Sequence, residues 1–178
     1  MLVLGVATAL MSLTGCKDYH LRKAMKSFME RRIVLPSEMI KITDGYTASA
    51  EIASDKPKLV IFYGRDECSS CAINHLYDDL SGLKSIADSK NCEVILLFSP
   101  SEDDRLDVQE QIRDLKFPFP IYVDLYGDFY RRNEDFPSDT RFHNFLLGRD
   151  GCPVFIGNPL HSEKLSQVFL KALAQTNN

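Results

Sequence analysis

The sequence predicts an α/β domain in which buried strands alternate with amphipathic helices. Residues 58–64 (KLVIFYG) and 93–99 (EVILLFS) are continuous apolar runs, which are typical of strands buried on both faces of a sheet. Each run is followed by a segment whose apolar residues recur at helical spacing. The length of 178 residues suits one domain with a short appendage.

The elements after each buried strand follow from the same patterns. Residues 68–89 and 102–116 place apolar side chains on one face of a helix. Residues 119–123 (FPIYV) predict a short strand. Pro120 favours an edge position for that strand, because proline donates no backbone N–H to a neighbouring strand.

The C-terminal part predicts a hairpin and a last helix. Residues 142–147 and 153–157 are apolar runs separated by a Gly-Arg-Asp-Gly turn, a pattern that indicates a β-hairpin. Residues 161–174 carry an apolar face at helical spacing, and Ser162 is a suitable cap for that helix. The domain is therefore expected to span residues 46–178, with its boundary near Asp44-Gly45.

The N-terminal residues resemble a secretion signal. Residues 1–13 contain no charge and are shorter than the roughly 20 apolar residues that span a bilayer, but they match the apolar region of a signal peptide. The run LTGC at residues 13–16 resembles the bacterial lipobox, in which cleavage precedes the cysteine and the cysteine carries the lipid. We expect a signal peptide over residues 1–15 and lipidation at Cys16. The alternative is an apolar N-terminal helix of a soluble protein.

A basic amphipathic helix is predicted over residues 18–32, within a helix-and-linker segment at residues 16–45. Its apolar residues lie on one face, Asp18 is a possible cap, and residues 17–32 hold six basic and two acidic side chains. Such a helix either lies on an anionic membrane or packs its apolar face on the domain or a partner. We favour packing.

Composition excludes several classes of protein. The net charge of −4 gives no indication of a nucleic-acid partner. Five cysteines are too few for a disulfide scaffold at this length. If the strand of residues 93–99 and the C-terminal hairpin lie on opposite sides of the first buried strand, Cys92 and Cys152 are roughly 14 Å apart, which is too far for a disulfide. We therefore predict that both are small buried packing residues.

The chemistry is expected at Cys68-Ser69-Ser70-Cys71. This pair follows the first buried strand and opens a helix, where the helix dipole and free backbone N–H groups favour a thiolate. The spacing lets the second thiol attack a mixed disulfide formed by the first. Cys68 is therefore the candidate attacking thiol and Cys71 the candidate resolving thiol.

Over residues 46–174 the sequence resembles the thioredoxin superfamily, and within it the envelope-anchored TlpA/ResA-type oxidoreductases. The resemblance rests on KLVIFYGRDECSSC, EVILLFS and FLLGRDGCPVFIG. It implies a thioredoxin-like fold, with a central mixed sheet flanked by helices, and a redox-active Cys68/Cys71 pair. It also implies exchange with thiols and disulfides of envelope proteins, recharging by a membrane-side reductant, and no cofactor. With Cys16, it implies a lipoprotein whose domain faces the periplasm or the cell exterior.

The sequence departs from the family pattern around this pair. Glu67 replaces a common Trp; with Asp66 it disfavours a thiolate that Arg65 favours, so we expect a reductant-leaning or slow couple. Phe62 replaces a buried acid. At Phe142-His143-Asn144 the family's cis-proline is missing, so Phe142 and His143 are expected to border the thiols.

Three alternatives remain at this point. Cys68, Cys71, His75 and His143 are donors suited to Cu(I) or Zn, which defines a lower-weight metal-carrier hypothesis. A non-catalytic binding lipoprotein with a structural or vestigial disulfide is the second alternative, and a peroxiredoxin-like activity is the third. The aromatic and charged residues 124–136 form either a docking loop or, as we favour, a solvated helix with core aromatics.

Overall fold

The computed structural model describes residues 19–52, 55–89 and 91–176, and within them seven strands form one sheet. The strands are β1 (Met39–Thr43), β2 (Tyr46–Ala50), β3 (Lys58–Tyr63), β4 (Glu93–Phe98), β5 (Ile121–Val123), β6 (Asn144–Leu147) and β7 (Pro153–Ile156). The helices are α1 (residues 19–29), α2 (Ser69–Asp88), α3 (Arg105–Leu115), α4 (Asp128–Arg132) and α5 (Glu163–Thr176), and a 3₁₀ turn covers Thr140–Phe142. The predicted signal peptide, Cys16 and Asp18 lie outside the described residues.

The sheet is mixed, in the order β2-β1-β5-β4-β3-β6-β7. The strands β3, β4 and β5 are parallel neighbours, whereas β1 and β6 pair antiparallel with β5 and β3. The helices α2 and α3 connect the parallel strands. The predicted α/β fold with a central mixed sheet flanked by helices is therefore confirmed, and the elements predicted after residue 58 lie close to their expected bounds.

Alternate side chains of β3 enter two hydrophobic clusters on opposite faces of the sheet. Leu59 and Ile61 pack with residues of α2, α3 and α5. Val60 and Phe62 pack on the other face with residues of α1 and α4. Because both faces are covered, the continuous apolar pattern of this strand follows from its burial.

The helix α1 packs on the domain, as we favoured. Phe28 is 1% exposed and makes edge contacts with Phe142 and Phe145, with ring centroids 5.3 and 5.6 Å apart. The segment after the helix is fixed by Asn133, whose Oδ1 accepts the Val34 N–H at 2.9 Å and whose Nδ2 donates to the Val34 carbonyl at 2.8 Å. The apolar face of α1 is therefore part of the core.

Fewer residues of α1 are buried than the apolar pattern of its sequence predicts. Leu21 and Met25 are half-buried, while Ala24 and Met29 of the same predicted face are exposed. The basic side chains of the helix point to solvent. Among the described residues, no helix combines the length and apolarity that crossing a bilayer requires.

The linker predicted over residues 16–45 contains a strand of the sheet. The strand β1 pairs antiparallel with both β2 and β5. The proposed boundary falls in the β1–β2 turn, where Asp44 and Gly45 both have positive φ, at 50° and 81°, as a two-residue hairpin turn requires. Residues before the boundary thus belong to the same sheet as residues after it.

The edge position expected for the strand with Pro120 is wrong. The strand β5 lies between β1 and β4 in the interior of the sheet. It begins at Ile121, so Pro120 precedes the paired residues and no interior hydrogen bond is lost. The proline rule applies to residues within the ladder and not to the residue before it.

Candidate active site

Cys68 and Cys71 lie where β3 ends and α2 begins. Cys68 caps the helix: its backbone is extended, and its Sγ accepts a hydrogen bond from the Cys71 N–H at 3.3 Å. The two residues form a disulfide with Cα atoms 5.3 Å apart, and both are exposed. The pair is therefore accessible at a helix N-terminus, where a thiolate is favoured once the bond is reduced.

A tight turn over residues 64–67 carries the chain from β3 to Cys68. The Glu67 N–H donates to the Gly64 carbonyl at 3.1 Å, and the Gly64 N–H donates to Glu67 Oε1 at 2.8 Å. A Cβ atom on Gly64 would collide with the Tyr130 hydroxyl. A larger residue at this position would therefore displace the Tyr130 side chain of α4.

Arg65 and Asp66 are both exposed beside the thiols. The Arg65 guanidinium lies 3.9 Å from the centroid of the Tyr130 ring, and the Arg65 N–H donates to the Tyr130 hydroxyl at 3.3 Å. Burial raises the pKa of Tyr130, so its hydroxyl remains protonated at neutral pH. The cation is thus held over an aromatic face, while water screens the carboxylate of Asp66.

Glu67 does not point to solvent but to His143. Its Oε1 lies 2.6 Å from His143 Nδ1, and His143 Nε2 lies 2.9 Å from the Pro137 carbonyl. The His143 side chain is 5% exposed and packs against the rings of Phe62 and Phe136, at centroid distances of 5.2 and 5.4 Å. The residue expected to add negative charge beside Cys68 is therefore paired with a buried imidazole.

The position of the missing cis-proline is filled by this histidine. The His143 carbonyl accepts the Phe62 N–H at 2.8 Å, so residue 143 extends the pairing of β3 with β6. No cis peptide bond occurs within the described ranges. Phe142, the residue before His143, is 3% exposed and packs on Phe28.

Comparisons with known proteins identify the fold. No family model and no curated protein matches the sequence. A putative thiol:disulfide interchange protein DsbE from Chlorobium tepidum superimposes with a TM-score of 0.50 at 15% identity, over 81% of this chain and 98% of that one. The chain has a thioredoxin-like fold.

Two other solved structures superimpose on this thioredoxin-like fold with lower TM-scores. An uncharacterized thioredoxin-like protein from Porphyromonas gingivalis has a TM-score of 0.44 at 18% identity, over 80% of this chain and 92% of that one. A putative electron transfer protein from Aquifex aeolicus has a TM-score of 0.49 at 14% identity, over 81% and 96%. At these identities the likeness concerns the fold alone.

The metal hypothesis does not fit the thioredoxin-like site. His75 is exposed on α2, with its Nδ1 3.1 Å from Asp78 Oδ2, whereas His143 is buried against Glu67. Within the described residues, no group of three or more His, Cys, Asp or Glu side chains is arranged to hold a metal ion. The four predicted donors, including Cys68 and Cys71, therefore do not converge.

Cys92 and Cys152 are both free thiols. They precede β4 and β7, which are separated by β3 and β6 in the sheet, so the prediction that they stay unpaired is confirmed. Cys92 is 2% exposed, and burial raises its pKa to about 11. Cys152 is half-buried, so the expectation that it is a buried packing residue is wrong: it lies between an exposed turn and the start of β7.

Residues 124–136 contain one short surface helix, α4 (Asp128–Arg132), and a fully buried aromatic residue, Phe129, while Tyr126 is exposed. Asp124 is fully buried, and its carboxylate accepts hydrogen bonds from the Ser99 hydroxyl and from the N–H groups of Asp128 and Phe129 at 2.8–3.0 Å. The Phe129 ring stacks on Phe62 with centroids 4.3 Å apart. The carboxylate therefore fixes the start of α4 and, through it, the ring behind the active-site turn.

Two residues of the site were not predicted from the sequence. Tyr130 holds Arg65, and its only sequence signal is its place in an aromatic-rich segment. Pro137 supplies a carbonyl to His143, and backbone carbonyls carry no sequence signal. Both come close to the Cys68 turn only through the packing of the connection between β5 and β6.

Proposed function

We propose that this protein is a lipid-anchored thiol–disulfide oxidoreductase of the bacterial cell envelope that acts on protein thiols and disulfides. The observation that carries the proposal is the exposed Cys68–Cys71 disulfide at the N-terminus of α2, directly after an interior strand of a thioredoxin-like sheet. A structural disulfide usually ties distant segments together. This one closes only a single helical turn, next to the helix dipole.

The reaction uses the two thiols in sequence. The Cys68 thiolate attacks a substrate disulfide, forms a mixed disulfide and releases one substrate thiolate. The Cys71 thiolate then attacks the Cys68 sulfur and releases the second substrate thiol, so two electrons pass to the substrate and the Cys68–Cys71 bond forms. A dithiol reductant at the membrane restores the reduced pair by the reverse exchange.

Turnover of a model disulfide tests the activity. Reduction of insulin by the protein with dithiothreitol is expected to exceed the rate with dithiothreitol alone, and Cys68→Ser is expected to abolish the excess. Cys152→Ser is the matched control, because it removes a thiol outside the site and is expected to retain full turnover. Cys71→Ser is expected to accumulate the mixed disulfide.

Two further measurements separate the alternatives. A reduction potential near −120 mV would make the pair an oxidant, and one near −270 mV a reductant. A pair that never cycles and gives no turnover would favour the non-catalytic binding protein. Consumption of hydrogen peroxide by the reduced protein at a rate above that of insulin reduction would favour a peroxiredoxin-like activity.

The anchor is tested separately from the thiol chemistry. The support for it is the apolar run of residues 1–13 followed by the LTGC motif. Expression in a bacterial host with a fatty-acid analogue is expected to label the full chain and not its Cys16→Ser variant. Equal labelling of the two would contradict lipidation at this residue.

A further inference from the structure

The hydrogen-bond partners of Glu67 and His143 determine how many protons these two side chains hold together. His143 Nε2 lies 2.9 Å from the Pro137 carbonyl oxygen. A carbonyl oxygen only accepts hydrogen bonds, so Nε2 carries a proton. The tautomer with a proton on Nδ1 alone is therefore excluded.

The other ring nitrogen needs a second proton. His143 Nδ1 and Glu67 Oε1 are 2.6 Å apart. If the imidazole were neutral with its proton on Nε2, and Glu67 were a carboxylate, two lone pairs would face each other at this distance. One proton therefore lies between the two atoms, either on Nδ1 or on the carboxyl group. In both arrangements the net charge of the pair is zero.

The surroundings of the pair keep water away and strengthen this interaction. The side chain of His143 is 5% exposed and that of Glu67 is 23% exposed, and the imidazole packs against the rings of Phe62 and Phe136, which also contact each other. Charges interact more strongly where water is excluded. The titratable groups around the pair are Arg65 and Asp66 in the turn, Tyr63 of β3, Tyr130 of α4, Asp139 just before the 3₁₀ turn and Arg141 within it.

These neighbouring groups do not change the net charge of zero on the Glu67–His143 pair. Asp139 and Arg141 form a salt bridge with each other. The pKa values of Tyr63 and Tyr130 are raised, chiefly by burial, so both hydroxyls are neutral near pH 7. Arg65 and Asp66 carry opposite charges at the surface.

We propose that His143 is a positioning residue that neutralises Glu67 and thereby sets the acidity of the Cys68 thiol. Glu67 precedes Cys68 directly in the chain, so an unbalanced carboxylate there would disfavour the Cys68 thiolate. The shared proton removes that penalty and leaves the helix N-terminus as the main influence on the sulfur. This inference deepens the proposed oxidoreductase function, on which its biological meaning rests.

The charge count predicts an unusual pattern among three variants. His143→Asn keeps an N–H donor for Glu67 but removes the positive charge, so the pair becomes negative. Glu67→Gln leaves a neutral imidazole beside a neutral amide, so the net charge remains zero. The double variant Glu67→Gln/His143→Asn is also neutral and is expected to restore the wild-type acidity.

The experiment measures alkylation of Cys68 by iodoacetamide in the fully reduced protein as a function of pH, with the labelled site identified by mass spectrometry. His143→Asn is expected to raise the midpoint of the Cys68 profile by about one pH unit, as a unit charge at a distance on the order of 10 Å does at an effective dielectric constant of about 20. Glu67→Gln and the double variant are expected to stay within about a third of a unit of wild type. Asp66→Asn is the control, because water screens the carboxylate that it removes, and it is expected to lower the midpoint of the Cys68 profile by less than about half a pH unit.

Glu67→Gln keeps the proposal falsifiable even if His143→Asn fails to fold. If Glu67 were an unbalanced carboxylate, this variant would lower the midpoint by about one unit, and that result would overturn the proposal. A folded His143→Asn with an unchanged midpoint would do the same. Since alkylation requires no turnover, this outcome is independent of whether the protein reduces insulin.

Discussion

Replacing Phe28 with alanine tests whether the N-terminal helix belongs to the folded domain. Phe28 is 1% exposed and contacts the rings of Phe136, Phe142 and Phe145 at 5.3–5.8 Å. Truncation loses the burial of a whole aromatic side chain, leaves a cavity against β6 and removes edge contacts. Buried Phe→Ala substitutions typically cost about 3–5 kcal/mol. We expect a loss of about 4 kcal/mol in the free energy of unfolding, which is a large part of the stability of a domain this size.

The assay for Phe28→Ala is urea unfolding of the oxidised protein followed by far-ultraviolet circular dichroism. Met29→Ala is the matched control: Met29 is the next residue of α1 and is 40% exposed, so its loss is expected to change the unfolding free energy by less than about 0.5 kcal/mol. The slope of the urea dependence should be unchanged in both. A loss below about 1 kcal/mol for Phe28→Ala would refute the packing of α1 on the sheet.

Three further predictions follow from buried polar groups. Asp124→Asn replaces one acceptor of the buried carboxylate with a donor that faces a backbone N–H, so urea unfolding should show a loss of about 1–3 kcal/mol; a change under about 0.5 kcal/mol would contradict this. Burial raises the pKa of the Cys92 thiol to about 11, and burial together with the charge of Asp150 raises the pKa of the Cys152 thiol. Alkylation of both thiols in the folded protein near pH 7.5 should therefore be slow. Labelling of Cys92 in the folded protein as fast as in urea would contradict this prediction. Burial raises the pKa of Tyr63 to about 12 from 10.0. Between these two values the unfolded state binds fewer protons than the folded state, so the stability should fall as the pH rises through this range. The fall should be less steep in Tyr63→Phe, and an equal pH dependence of the urea midpoints of the two proteins would count against the prediction.

The elements that carry strong local patterns were predictable from the sequence, and those that depend on tertiary pairing were not. The strands β3 and β4 are buried on both faces and read as apolar runs. The strand β2 (YTASA) has no apolar run, and its alternation of Tyr and Ala with Thr and Ser is too weak to indicate a buried face, since the strand is almost wholly exposed. The Asp44-Gly45 turn was the available signal for the β1–β2 hairpin, since this dipeptide favours a two-residue hairpin turn.

The candidate site likewise has one part that was predictable from the sequence and one part that was not. The Cys68–Cys71 pair is local, because its spacing and its position between a strand and a helix lie within one short segment. The partner of Glu67 is His143, which lies 76 residues away. No spacing rule connects two such residues, and only the antiparallel pairing of β3 with β6 brings them together. An assessment of Cys68 from its sequence neighbours alone therefore counts the charge of Glu67 without the group that balances it.

The departures from the thioredoxin pattern at residues 62, 67 and 143 form one contiguous unit and do not represent three separate losses. The Phe62 ring contacts His143 and Phe129, and His143 contacts Glu67. An acid at residue 62 would lie against Phe129 and beside an imidazole whose two nitrogens already have partners. A proline at residue 143 would leave Glu67 without its buried partner. An apolar residue 62 fits a buried histidine at 143, and that histidine in turn fits an acid at 67. The absence of the proline and buried acid of the thioredoxin pattern is thus not by itself an argument against the proposed redox activity, because Phe62, Glu67 and His143 contact one another in a chain of their own.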